Sequence, residues 1–110
     1  MYAHVACFDG PRSAELIAAD DRAGKERILP AIEADEQMRE ELVALLVLRQ
    51  PDGAELAITV CRTEAGLERG RTIITNSELL PGEDPALLPG PDRLATYQVV
   101  ASRMWNGVPA

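Results

Sequence analysis

The side chains able to do chemistry in this chain are few and far apart. His4 is the single histidine, and imidazole titrates near neutral pH, so it is a candidate base at a pocket wall. Its place inside Tyr2-Ala3-His4-Val5-Ala6-Cys7-Phe8 suits a half-buried strand residue bonded to a neighbour equally well. Cys7 and Cys61 are the two thiols, and their isolation gives neither a metal cluster nor a disulfide framework. They read as small buried hydrophobes or, if their strands are neighbours, as a facing redox pair. One histidine with scattered carboxylates lacks the ligand spacing of a zinc or iron site, so no metal and no cofactor is expected. A Ser-His-Asp or Cys-His constellation cannot be assembled either, because His4 has no assignable partner. Thr72, Thr75, Asn76 and Ser77 form a polar patch beside Ile73 and Ile74, suited to a ligand pocket or to plain solvation. Tyr97 and Trp105 are the aromatic groups best placed to touch an apolar ligand or a partner chain. The candidate set is therefore His4 as catalytic base, with Asn76, Tyr97 and Trp105 as ligand contacts.

The elements that must position these groups are organised around one hairpin. Residues 42–48 are apolar throughout, so alternation cannot separate an inner face from an outer one. Pro51-Asp52-Gly53 supplies turn chemistry, with Gly53 free to take a positive φ. Residues 54–61 return with β-branched Ile58, Thr59 and Val60. Ahead of the hairpin, Tyr2–Phe8 reads as a strand, with Tyr2, His4, Ala6 and Phe8 on one face. Ser13 is a fair N-cap for a helix opening near Ala14, whose apolar stripe runs Leu16, Ile17, Ala23, Ile28 and Ile32. Pro30 should kink that helix or start a new turn, and the acidic stretch 34–41 reads as a connector.

Beyond the hairpin, Thr63 can cap a second helix marked by Leu67, Ile74 and Leu79. Leu-Leu-Pro-Gly then occurs at 79–82 and again at 87–90, too few copies for a solenoid. The stretch 80–93 reads as an ordered loop with anchored leucines, and Gly82 and Gly90 are each expected to take a conformation closed to residues with a Cβ. Residues 94–103 are the last strand, and 104–110 a short tail.

At 110 residues, 46% hydrophobic and only 4% aromatic, the chain is expected to form one domain, 1–110, with an aliphatic core. Its net charge of -7 repels nucleic acid and anionic membranes on average, so neither is an expected partner. Lys25 is the only lysine beside ten arginines, a usage that GC-rich bacterial genomes produce. No run approaches the ~20 apolar residues of a membrane span, and the N-terminus has no basic region or cleavage pattern. The expected address is the cytoplasm.

The order β-α-β-β-α-β leads to an α+β, ferredoxin-like plan, a four-stranded antiparallel sheet with two helices on one face. The other face of so apolar a sheet needs cover from a second copy, hence a homodimer.

On Tyr2–Phe8, Glu26-Arg27-Ile28-Leu29-Pro30-Ala31, the hairpin and Thr63-Glu64-Ala65-Gly66-Leu67, the chain resembles the dimeric α/β-barrel superfamily. That superfamily includes the antibiotic biosynthesis monooxygenase-like and the stress-responsive barrel proteins. The resemblance implies two ferredoxin-like subunits closing their sheets into a barrel, each with a pocket between sheet and helices. The chain departs from it at Asp35-Glu36-Gln37-Met38, where many members carry Pro-Gly-Phe, and at Cys61-Arg62, where many carry Trp. Residues 64–79 also lack the second-helix His.

Two functions are consistent with this. In the first, a homodimeric barrel binds a small, largely apolar molecule and acts as a cofactor-independent monooxygenase-like enzyme, with His4, Asn76 and Tyr97 orienting the substrate. In the alternative, the barrel is non-catalytic, its cavity filled by aliphatic side chains, and it serves assembly or protein binding.

Overall fold

A computed structural model describes residues 1–105. Strand β1 (Tyr2–Phe8) leads to α1 (Ala14–Ala23), opened by Ser13, whose Oγ accepts from the Leu16 N–H at 3.2 Å. The helix continues through a π-helical turn at Gly24–Ile28 into α2 (Leu29–Glu33). Pro30 has no N–H and would crowd the carbonyl four residues back. The wider turn ahead of it relieves that conflict, so the expected kink takes the form of a π-bulge.

The stretch expected to be a connector is instead a helix, α3 (Glu36–Glu41). Asp35 caps it, Oδ2 accepting from the Met38 N–H at 3.0 Å, and Arg69 holds the same carboxylate with two bonds of 2.7 and 2.8 Å. The acidic residues masked one apolar side chain: Met38 is wholly buried. It lies in a cluster with Ile32, Cys61 and Leu67, bordered by Tyr2, Ile28, Leu42 and Ile73. A Cβ on Gly70 would stand 3.1 Å from the Met38 Cε, so the missing side chain there lets the helices close on the methionine.

Strands β2 (Leu42–Arg49) and β3 (Glu55–Cys61) form the expected hairpin. Gly53 has φ +91°, and the turn closes through Gly53 N–H to Gln50 O (2.9 Å) and Gln50 N–H to Ala54 O (2.8 Å). Helix α4 (Glu64–Asn76) starts at Thr63, whose Oγ1 accepts from Gly66 N–H at 3.0 Å. It stops before Leu79. The following loop has Gly82 at φ +86°, but Gly90 is not at positive φ, so the second Leu-Leu-Pro-Gly does not repeat the conformation of the first. A short 3-10 turn (Pro85–Leu87) precedes β4 (Arg93–Gln98). That strand is shorter than the expected 94–103. Its last tie to the sheet is Val99 N–H to Met1 O at 2.9 Å.

The sheet order is β2-β3-β1-β4, antiparallel at every step. Two βαβ units therefore interleave, and the fold is ferredoxin-like, with its first helical layer segmented rather than continuous. Tyr2, Cys61 and Leu42 are aligned across the sheet and point into the helix-side core. From them the faces follow by alternation. On β2 the pairing jumps from Leu42↔Cys61 to Ala44↔Val60, an extra residue at Val43. The bulge places Leu42 on the side of Leu45 and Val47; an unbroken strand would put it with Leu46 and Leu48.

Replacing Met38 by alanine should cost about 2–5 kcal/mol, the range for emptying a buried site. Chemical denaturation monitored by circular dichroism is the measurement. A loss under about 1 kcal/mol would mean that α2, α3 and α4 do not depend on this side chain.

Candidate functional site

Among the described residues, an extended surface without a covering element is the sheet face turned away from the helices. By register it presents Ala3, Val5 and Cys7 from β1, Leu56, Ile58 and Val60 from β3, Ala44, Leu46 and Leu48 from β2, and Arg93, Ala95 and Tyr97 from β4. Leu46 is 55% exposed and Tyr97 57%, while Leu48, Leu56 and Val43 are also exposed. Arg93 is the one charged group by this register, and Asp9 holds it through paired bonds of 3.1 and 3.0 Å at the sheet's end. That pairing raises the guanidinium's pKa. The remainder of the face is apolar and continuous, of the kind that marks an interaction surface.

The helix side is different in kind. At the hairpin end, Asp20 and Asp21 of α1 meet Glu55 of β3, carboxylate oxygens within 4.8 Å of one another. Two arginines answer them. Arg49 donates to Glu55 Oε1 from Nε (2.8 Å) and Nη2 (2.6 Å), and to Asp21 Oδ1 from Nη2 (2.6 Å). Arg12 lies 3.4 Å from Asp20 and 3.6 Å from Glu55, donates to Gly53 O at 3.2 Å, and stacks 5.1 Å from the Phe8 ring centroid. The bonds to Asp21 and Glu55 push the Arg49 pKa up. Burial, and next the Asp20 carboxyl, push Glu55 above its ordinary range despite Arg49. The trio has the ligand type for a hard cation, yet guanidinium groups already satisfy it. Sequence reading missed this cluster; its signal was Arg49 ending an apolar strand directly across the hairpin from Glu55.

Two shallow depressions flank the helices. One, of about 370 Å³, is polar and lined by Asp35, Glu36, Gln37, Glu40 and Arg69. The other, of about 320 Å³, lies between α1 and the Pro/Gly-rich loop, among Ala18, Ala19, Arg22, Leu87 and Leu88. That loop is fastened by Arg27, which donates to Glu83 Oε1 (2.8 Å) and Ser77 Oγ (2.7 Å), and by Arg22 to Pro81 O (2.9 Å). The Leu80 N–H and then Arg27 hold the Glu83 carboxyl below the usual range.

The candidate residues of the sequence fall on different sides of this frame. His4 is buried on the helix face of β1, its Nε2 3.7 Å from Glu68 Oε1 of α4. Asn76 is the exposed last residue of α4. Tyr97 lies on the open sheet face, and Trp105, 74% exposed, stands beyond β4. The structure brings Tyr97 onto the apolar face and brings His4 to Glu68; it does not join the four into one pocket. Cys7 and Cys61 do not form a pair. Cys7 is aligned with Leu56 and Cys61 with Tyr2, so they sit at opposite ends of the strands and on opposite faces. Burial raises the Cys61 pKa, which makes it a poorer nucleophile.

The charges predict a pH signature. Glu55, raised in the folded state, contributes stability below its ordinary value of 4.5 that is lost as pH rises through its folded pKa. Asp35 and Glu83, both lowered, act oppositely, and their stability disappears as the solution turns acidic. Thermal melts of the unmodified protein should therefore show a downward contribution above pH 4.5 that Glu55→Gln removes. An unchanged slope would place the titration elsewhere.

Comparison with known proteins is consistent with fold-level kinship. No family model and no curated protein matches the chain. Among solved structures, a dimeric ferredoxin-like protein from an uncultured marine organism superposes with a TM-score of 0.61 at 12% identity, covering 96% of this chain and 92% of that one. At that identity the likeness shows the fold alone: this chain is an α+β protein of the ferredoxin-like kind.

Proposed function

We propose that the chain works as a two-fold homodimer whose open sheet faces close on one another, and that the dimer binds a small, largely apolar molecule. The observation that carries this is the continuous apolar face on which Leu46, Leu48, Leu56 and Tyr97 remain exposed. Full burial of such a side chain is worth roughly 1.5–3 kcal/mol, and these four, about half exposed, together leave several kcal/mol ungained, a sizeable share of the ~5–15 kcal/mol that holds a domain together. A second copy offers the same surface, and self-complementary faces are what a two-fold interface requires. The dimeric state of the ferredoxin-like protein from the marine organism supports the same reading.

Within that dimer, the Tyr97 phenol is the polar group on an otherwise aliphatic part of the face, the arrangement that fixes one end of an apolar ligand. Binding has more support than oxygenase chemistry. His4 faces the helices beside Glu68, on the opposite side of the sheet from Tyr97, so a single molecule lying on the open face meets one of them. A purely assembling dimer is the second reading. The row Val5, Ile58, Leu46 across the sheet favours it, because side chains of this size from two sheets can fill the interior between them.

Leu46→Asp should convert the dimer to a folded monomer, since Leu46 is on the open face and makes no part of the helix-side core. Sedimentation velocity at micromolar concentration reads the association state, and far-ultraviolet circular dichroism reads the fold. An unmodified protein that sediments as a stable monomer would overturn the dimer. Native mass spectrometry of freshly purified protein should show retained mass beyond two chains; bare dimer alone would favour the assembling form.

A further inference from the structure

Past Gln98 the chain leaves the sheet, and it leaves with apolar side chains in water. Val100 is 90% exposed, Met104 80% and Trp105 74%, the highest exposures among the large hydrophobic residues of the described chain. They stand on a segment that, among the described residues, is fastened at its start by Val99 N–H to Met1 O at 2.9 Å. The described chain thus carries two apolar surfaces that stay largely in water, the open sheet face and this segment. We propose that residues 99–105 are an arm that lies on the sheet of a second copy. The inference rests on the dimer reading and deepens it by naming the segment that completes the interface.

Reach allows it. Seven extended residues span at most about 25 Å, whereas stacked sheets lie about 10 Å apart and a four-stranded sheet is about 14 Å across. The arm begins at β4, an edge strand, and within the sheet the most exposed leucines and valines lie on β2, the other edge. In a face-to-face pair, an arm that crosses between subunits buries Val100, Met104 and Trp105 and covers partner side chains in the same step. Exchange through a two-fold axis does this twice per dimer, once for each copy. A large aromatic is also the usual anchor of such a contact, because indole buries much area at little cost in rotamer freedom.

Trp105 is the only tryptophan, so its fluorescence reports the arm alone. In the full chain at high concentration, indole emission should be blue-shifted and shielded from acrylamide. On dilution both properties should revert to those of hydrated indole, in step with dissociation measured by sedimentation. Val100→Ser, Met104→Ser and Trp105→Ser combined should weaken dimerisation by roughly tenfold or more. The monomer's circular dichroism should be unchanged, because these side chains make no core. A stable dimer whose Trp105 stays fully quenchable, and whose affinity the triple change leaves alone, overturns the arm while the dimer stands. A protein monomeric at every concentration overturns both.

Discussion

A four-stranded sheet has two faces, and this chain has one layer of helices to cover them. The rest of the molecule follows from that mismatch. On the covered side the helices converge on Met38, with Ile32, Leu67 and Cys61 packed around it, and the approach is close enough that a Cβ on Gly70 would press on the Met38 methyl group. On the other side no described element covers the sheet, whose residues there are mostly aliphatic, with Tyr97 and, at its end, Arg93. Aromatic residues are scarce, so no single large side chain can roof the open face, and cover must come from a surface of comparable extent.

The charged residues are disposed so that they do not spoil that surface. Glu55 and Arg49 end their strands on the helix side, where Asp20, Asp21 and Arg12 take up their charge. Arg93, on the open side, is held at the sheet's end by Asp9. The acidic balance of the chain is thereby displaced to the helices and loops. The exposed Arg93–Asp9 pair contributes little stability on its own, whereas Glu55 is buried and would be left uncompensated without Arg49 and Arg12; in both cases the pairing fixes where the charge sits. A face kept free of uncompensated charge can meet its own copy without like-charge repulsion, whereas the acidic helical surface opposes association on that side.

Much of the fold could be read from the residues, and the failures have physical causes. Caps and turns were legible because Ser13, Thr63 and Gly53 satisfy local geometry with local atoms. The helix at 36–41 was hidden because five of its six residues are charged or amidic, while its stability comes from Asp35, Arg69 and the buried Met38. That is tertiary support, which no local propensity reveals. The bulge at Val43 was equally invisible, because a run that is apolar at every position carries no signal when its parity shifts. Gly82 and Gly90 share a motif and differ in backbone, since Arg27 and Arg22 fasten only the first copy. The site was less legible than the fold. His4 and Tyr97 belong to strands that pair with each other, yet alternate residues face opposite ways, and only the register reveals which way each one points.

The exposure of β2 carries the argument one step further. Leu45 and Val47 lie on the helix side of the sheet, by their alignment with Thr59 and Ala57. They nonetheless remain 42% and 56% exposed. Helix α4 packs on β1 and β3, and β2, at the edge, extends past its cover. A second sheet laid flat on the open face would bury Ala44, Leu46 and Leu48 and leave Leu45 and Val47 as they are. Burying both sets requires cover that continues around the β2 edge, where the strand also offers unpaired backbone N–H and C=O groups. Extended chain can do this, because it supplies backbone partners to the edge and side chains to both faces. In the proposed dimer the interface is therefore more than two stacked planes: it includes the rim of β2, and the element suited to close that rim is an extended segment of the other copy.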